Sequence, residues 1–485
     1  MPVEVDAVPQ PADARRDSLH ELLRQPLPAD AAELVSSASE RLIDNSGTGL
    51  RLAEANLSGA DLRGFNLRRA NLNRARLDGA QLDGADLSES MLINPIMERS
   101  CLRGARVERL YAHALAVVSS DWSHTQMRGA LDCTGALFHG VDFTDADLSG
   151  GNYAGTTFYQ CDLSRANLRN CELSGATFNE CVMRDTQLDG ARISHMTVTR
   201  TQAAGISLVG AVGTGVALQS MGSLPGADFS QAHLYHARIR STDLRDVNFS
   251  NAALLGLDMS DVALTNVELA GADLSEASLR AVNGKGSSFR RAQLSGASFL
   301  NCRMAETDFS GAGAECARFL RCTMPGSLFT SLDNERGRAS FTARGLTARD
   351  CDFSGADFSH AYLYGASFIG DPIGGMQLDG ARFTGANLVQ TAIAASLRGA
   401  DLRRILCAYS RLTRSDLTDA DLTGAALHQA TLIKVVLTNA NLTGVKAPIF
   451  TDRCRGIDSA SLDEELRQWC DGLASLLDTS KRAST

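Results

Sequence analysis

A five-residue beat runs along most of the chain and is plainest from Glu54 to Leu87, EANLS GADLR GFNLR RANLN RARLD GAQLD GADL. Every fifth residue is apolar, usually Leu or Phe, and two positions earlier stands a small residue, usually Ala. Neither the α period of 3.6 nor the β period of 2 holds a fivefold register, so the pattern predicts a repeat architecture. Alternation within each five sends the small residue and the apolar centre inward and the residue between them outward. Gly and Ser follow, where the chain must turn a corner.

The register runs from Leu52 through Leu102 and Trp122 to Asp132, then from Phe138 to Leu218, and from Leu224 to Phe329. It returns at Phe341, is clean from Phe353 to Ile393, and holds again from Leu397 to Ala447. The beat therefore predicts repeats over residues 51–447, with slips near 133–137, 219–223, 330–340, 347–352 and 394–396. Segments 1–50 and 448–485 stand outside it.

The chain resembles the pentapeptide-repeat family, whose consensus A-(D/N)-L-x-x recurs in Ala60-Asp61-Leu62-Arg63-Gly64 and Ala440-Asn441-Leu442-Thr443-Gly444. The resemblance implies an all-β solenoid, a right-handed quadrilateral parallel β-helix in which four pentapeptides make one coil. Coils one strand spacing apart would give nearly twenty turns and a rod on the order of 90 Å. Side chains twenty residues apart should then stack. Phe229, Phe249, Leu269, Phe289, Phe309 and Phe329 form one such column, and Phe299 with Phe319 a second. Cys161 and Cys181, and Cys302 and Cys322, are also twenty apart at the small inward position. With no secretory signal in MPVEVDAVPQ and no CxxC pair, these cysteines are expected to be reduced in a cytoplasmic protein.

Charge narrows the function. Some relatives resemble duplex DNA and bind DNA gyrase as immunity or resistance proteins. A duplex carries one charge per about 1.7 Å, so a mimic of this length would need on the order of 50 excess acids. Residues 51–447 carry 40 acids and 38 bases. The consensus Asp61, Asp86, Asp147, Asp273, Asp357, Asp401 and Asp421 could line a stripe, but Arg63, Arg68, Arg69, Arg245, Arg290, Arg291, Arg403 and Arg404 interrupt it. A topoisomerase-binding role is accordingly the alternative reading. The preferred one is a non-catalytic rod for protein partners, as a scaffold or as an adaptor or effector of a bacterial secretion system. DNA binding is not expected, and no stretch has the roughly 20 apolar residues of a membrane span.

No catalytic residues, cofactor or metal are expected. Catalysis needs polar groups converging in a pocket, whereas this pattern sends small and apolar groups inward. His233 and His236 have a corner between them and no partner at ligand spacing. Gly284-Lys285-Gly286-Ser287 lacks the earlier glycine of a phosphate loop and reads as a corner.

Function is thus expected where the beat breaks. Asp333, Asn334, Glu335, Arg336 and Arg338 form a charged excursion and a candidate partner-binding loop. From Met91 to Trp122, Pro95 takes a small inward position and Leu110 and Ala112 reverse the usual order, which predicts a distorted coil or an apolar face covered by a partner. Two short helices, Ser18 to Arg24 and Ala31 to Ile43, are expected to cap the solenoid or to act as a docking or targeting segment, so export by a specialised secretion system stays open. Pro448 cannot donate to a further coil and is expected to close the repeats. Ser461 and Glu464 then read as a capping box opening a helix with Leu462, Leu466, Trp469, Leu473 and Leu476 along one stripe. That helix would plug the last coil or join two copies as a homodimer.

Overall fold

The structure is a computed structural model, described here for residues 50–112, 115–129, 132–331, 340–370, 375–446, 449–464, 466 and 467. The fold is a right-handed quadrilateral parallel β-helix, and the chain divides into two compact units, Met1–Leu234 and Tyr235–Thr485.

In the first unit the repeat explains each contact. The N–H of the buried centre donates to the outward residue of the next coil, as in Leu62 to Gln81 at 2.7 Å. The outward residue returns the bond from its own N–H, Gln81 to Ala60 at 2.9 Å. The small residue closes the corner, with Ala60 N–H donating to the Leu57 carbonyl at 3.1 Å. At the corner the backbone turns left-handed, with φ of 69° at Gly59 and 58° at Arg69. Consecutive sides pair with the next coil at Asp61–Gln81, Asn66–Asp86 and Asn71–Met91. The fourth side carries short strands, and Thr157–Tyr159 pairs in parallel with Leu137–His139 and Thr177–Asn179.

The core is a stack of the inward pairs. Phe138, Phe158 and Phe178 stack at 5.2 and 4.7 Å between ring centroids, and Trp122 meets Phe138 and Phe143 edge-on at 6.0 and 5.9 Å. Full burial of each such side chain contributes about 1.5–3 kcal/mol. In the second unit Phe289, Phe309 and Phe329 stack as the twentyfold spacing predicts, and Phe358 and Phe383 extend the column. Phe299 stacks on Phe319 at 4.7 Å. The cysteines at small inward positions keep their thiols: Cys161 and Cys181 donate to the carbonyls of Phe138 and Phe158.

The breaks in register are partly where the beat puts them. Ser207 pairs with Asp228, twenty-one residues on, which fits the extra residue in 219–223. Ala392 pairs with Arg411, nineteen on, which fits a loss near 394–396. The first slip lies earlier than expected: Gln126 pairs with Asp147 but Asp132 with Asn152, so the extra residue precedes Asp132. Asp132 faces outward and Cys133 is the buried centre. No slip occurs at 347–352. Phe341 takes the small position and Ala343 the centre, both fully buried, and Leu346 and Ala348 do the same. An inward pair needs a total volume, not a fixed order. Leu110 and Ala112 are buried on the same principle.

Two insertions lengthen the spacing between coils. Cys322 N–H donates to Cys351 Sγ across twenty-nine residues instead of twenty, the surplus lying between Leu328 and Thr342. Asp352 pairs with Gln377, twenty-five on, so five further residues are set aside between Ser367 and Gln377. Pairing also continues past Pro448. Ile449–Asp452 pairs with Ala430–Ile433, and Ser461 pairs with Asn441. Ser461 is thus a ladder residue and not a helix cap. The helical turn begins at Glu464, with Arg467 N–H donating to the Asp463 carbonyl at 2.9 Å. The Asp463 carboxylate accepts the Gly444 N–H at 2.6 Å. The expected helices from Ser18 to Ile43 lie outside the described residues.

Candidate interaction surfaces

Every outward position is anchored by the repeat, and the consensus carboxylates serve it. Asp86, Asp147, Asp273, Asp357 and Asp421 each accept the backbone N–H two residues on, at 2.9–3.2 Å. Asp and Asn fit this place because their short side chains close such a turn. Asp61 and Asp401 accept the same bond and each also holds the arginine that follows. Arg63 Nη2 lies 2.6 Å from Asp61 and Arg403 Nη2 2.6 Å from Asp401. The guanidinium beside each carboxyl lowers it to about 2. The consensus acids are corner ties, most of them also paired, and do not form a free stripe.

Exposed apolar side chains concentrate on particular columns. In the first unit Met91 and Tyr111 are bridge partners, and Tyr111 is 65% exposed. The coil beneath them is regular: Ile96 pairs with Ala116 and Cys101 with Asp121, and Pro95 is buried without breaking the pairing. In the second unit Tyr362, Asn387 and Leu406 form one bridged column. Tyr364 stacks beside Tyr362 at 6.3 Å, Arg344 lies 5.5 Å over the Tyr364 ring, and Tyr409 meets His428 edge-on at 6.0 Å. Tyr362, Leu406 and Tyr409 are 40%, 49% and 56% exposed. Sequence reasoning missed this row, although an apolar residue one before the centre, as at Tyr362 and Leu406, is a readable signal.

The expected site residues fall elsewhere. Asp333, Asn334, Glu335, Arg336 and Arg338 lie outside the described residues, as do Trp469, Leu473 and Leu476. Leu462 is half-buried and Leu466 is buried. At Gly284-Lys285-Gly286-Ser287 the backbone is already spent: Gly284 and Gly286 donate to Arg303 and Ala305, and the Ser287 hydroxyl donates to the Leu264 carbonyl. Lys285 pairs with Glu306 at 3.4 Å.

A cavity of about 720 Å³ opens in the second unit, lined among others by Ile369, Met376, Ala394, Arg398, Arg414 and Lys434. Its carboxylates are engaged. Asp379 accepts from Ser396 Oγ at 2.5 Å and from the Arg398 N–H at 2.9 Å, and Asp416 accepts the Thr418 N–H at 3.0 Å. Among the described residues no group of His, Cys, Asp and Glu is arranged to hold a metal, and no helix is long and apolar enough to cross a membrane.

A family model for pentapeptide repeats matches this chain in 8 copies, over residues 51–109, 161–195, 222–280, 286–324, 344–370 and 395–446. Among solved structures, HetL, a pentapeptide repeat protein involved in heterocyst differentiation regulation from the cyanobacterium Nostoc sp. strain PCC 7120, is 24% identical. That match covers 51% of this chain and 85% of HetL, at a TM-score of 0.19. QnrB1, a plasmid-mediated fluoroquinolone resistance protein, is 18% identical over 53% of this chain and 96% of its own, at 0.25. Rfr23 from the cyanobacterium Cyanothece 51142 is 20% identical over 32% of this chain and 91% of its own, at 0.11. No curated protein matches.

Proposed function

Because the chain belongs to the pentapeptide-repeat family, we propose that it is a non-catalytic solenoid that binds protein partners on its outward columns. The observation that carries this reading is the exposed row Tyr362, Leu406 and Tyr409, flanked by Tyr364 and Arg344. Tyr and Arg dominate the energetics of protein interfaces, and an exposed aromatic row on a rigid backbone loses little entropy on binding. The interior is filled by small and apolar side chains and its backbone groups are used up by the ladder, which leaves no converging groups for chemistry among the described residues. Such a module suits a scaffold, or an adaptor or effector of a bacterial secretion system.

The test replaces Tyr409 with a photo-crosslinking residue in the host, with Ser250, a half-buried corner residue, as control. Protein adducts are expected at 409 and not at 250. Adducts at neither position, or at both alike, would remove the row as the binding site.

A topoisomerase-binding role is the second reading, favoured by the bridged acidic column Asp121, Asp142 and Asp162. Against it stand the tied consensus carboxylates and the near balance of 40 acids and 38 bases over residues 51–447. A gyrase supercoiling assay with a quinolone separates the two, since protection at stoichiometric protein would reverse their order.

A further inference from the structure

One face of the second unit departs from the balance of the chain. Its strands, from Arg238–Arg240 to Ala430–Ile433, pair in parallel and in register, so their outward residues stand in straight columns. On those columns, with the corner residue that follows each strand, stand nine bases against Asp258, Asp261 and Asp350. The next face, between Asp243 and Asn439, has seven acids and four bases at the equivalent positions. Arg240 is paired with Asp258 at 2.9 Å and Arg349 with Asp350 at 3.5 Å. Arg280, Arg318, Arg321, Arg411, Arg414 and Lys434 are exposed, and each stands outside the ion pairs found among the described residues.

The central column also holds aliphatic side chains. Leu300 and Leu320 are neighbours on adjacent strands, Ile369 follows Arg349, and Ile433 follows Thr413. Ile369 is 42% exposed. No aromatic residue stands on this face from Arg238 to Lys434.

We infer that this face docks on an anionic lipid bilayer, a binding role beyond the protein-binding row. Ten strands span roughly 45 Å. Over that length the bases are spread none to two per coil; Arg414 and Lys434 border the cavity, but Arg280, Arg318, Arg321 and Arg411 stand away from its lining, so what the face recognises is an extended negative field. A bilayer leaflet supplies such a field in a plane that meets several columns at once. It also receives the aliphatic column, because Leu and Ile side chains gain at the boundary of headgroup and acyl chain while Arg stems reach past them to phosphate. A nucleic acid satisfies the charges alone. Its phosphate rail gives the four aliphatic side chains no partner, and the face has no ring on which a base could stack.

The full chain is sedimented with vesicles of phosphatidylcholine, or of phosphatidylcholine mixed with phosphatidylglycerol, at about 0.1 M salt, where the screening length is about 10 Å. Binding is expected with the phosphatidylglycerol vesicles only, and is expected to vanish at about 1 M salt, where that length is about 3 Å. The variant R318Q/R321Q/R411Q/R414Q/K434Q should lower partitioning by about tenfold or more. R63Q/R68Q/R69Q/R165Q/R169Q in the first unit makes the same change in net charge and should leave partitioning as it was. Circular dichroism establishes that each variant is folded, and R411Q/R414Q, with a smaller loss expected, replaces the fivefold variant if that one is not. Three results would overturn the proposal: no binding to the anionic vesicles, equal loss in the first-unit variant, or capture of a duplex oligonucleotide by this face without capture of vesicles.

Discussion

The ring of Tyr153 fills the space in front of Gly151, where an added Cβ would stand 2.5 Å from Tyr153 Cε2. Both belong to one inward pair, so the largest centre in its repeat requires the smallest companion. The Tyr153 hydroxyl is buried with no hydrogen-bond partner among the described residues. Gly151→Ala should therefore destabilise by about 1–3 kcal/mol through overpacking. Tyr153→Phe should be neutral or mildly stabilising, because it removes an unsatisfied polar atom. The double variant Gly151→Ala/Tyr153→Leu should recover much of the loss, which is a coupling between neighbours. Urea unfolding followed by circular dichroism measures all three; additivity in the double variant would sink the packing account.

Acid stability follows from the tied carboxylates. Arg403 Nε and Nη2 hold Asp401 at 2.8 and 2.6 Å, and Thr384 Oγ1 donates to it at 2.8 Å. With Arg403 the leading cause, its pKa lies at about 2, below the ordinary carboxylate value near 3.9. Because the folded value is the lower one, the stabilisation is complete above pH ~4 and disappears as pH falls through about 2. The Arg403 side chain is about half exposed, so the effect is modest and weaker in salt. Side-chain NMR titration should place Asp401 near 2 and, in Arg403→Gln, clearly higher; an unchanged Asp401 would show that the turn and not the guanidinium sets it.

Thiol reactivity should divide by position. Burial raises Cys171 to about 12 and Cys407 to about 11, so neither forms thiolate at neutral pH. Cys316 is exposed, on a corner with φ 56°. A disulfide reagent near pH 8 should titrate Cys316 rapidly and the buried thiols only on unfolding. Cys316→Ser should remove one rapid equivalent; an unaltered rapid phase would mean that Cys316 is not reached in the native state. Cys470 lies outside the described residues and remains in both proteins as an internal constant.

The fold was legible because each repeat states its own geometry. Phe289, Phe309 and Phe329 stack because they are twenty apart, and that spacing can be counted without a structure. What escaped were places where a different sequence meets the same physical demand. Phe341 and Ala343 exchange sizes while filling the same volume, so a rule that looks for a large residue at the centre finds a slip where none exists. Pro448 lacks a donor, yet the strand resumes one residue later, at Ile449. The surfaces were less legible. A beat that identifies core positions treats all outward residues alike, and the bases of one face separate from the acids of the next only once the coils are wound in their true register.

The five residues set aside between Ser367 and Gln377 show this most sharply, because an insertion of one pentapeptide keeps the fivefold beat and alters only the twentyfold one. Gly370 and Met376 flank this segment, and they meet so closely that a Cβ on Gly370 would collide with the Met376 backbone nitrogen. Deleting residues 371 to 375 joins two points that already touch and converts the twenty-five-residue spacing of Asp352 and Gln377 into the usual twenty. The shortened chain should fold with stability equal to or slightly above that of the parent, since a loop closure is removed. Deleting 371 to 374 instead leaves one residue too many in the coil, turns each following centre outward unless the coil bulges, and should lower the melting temperature by several degrees. Thermal melts of the two deletions decide the matter: equal losses would mean that the segment is a structural part of its coil.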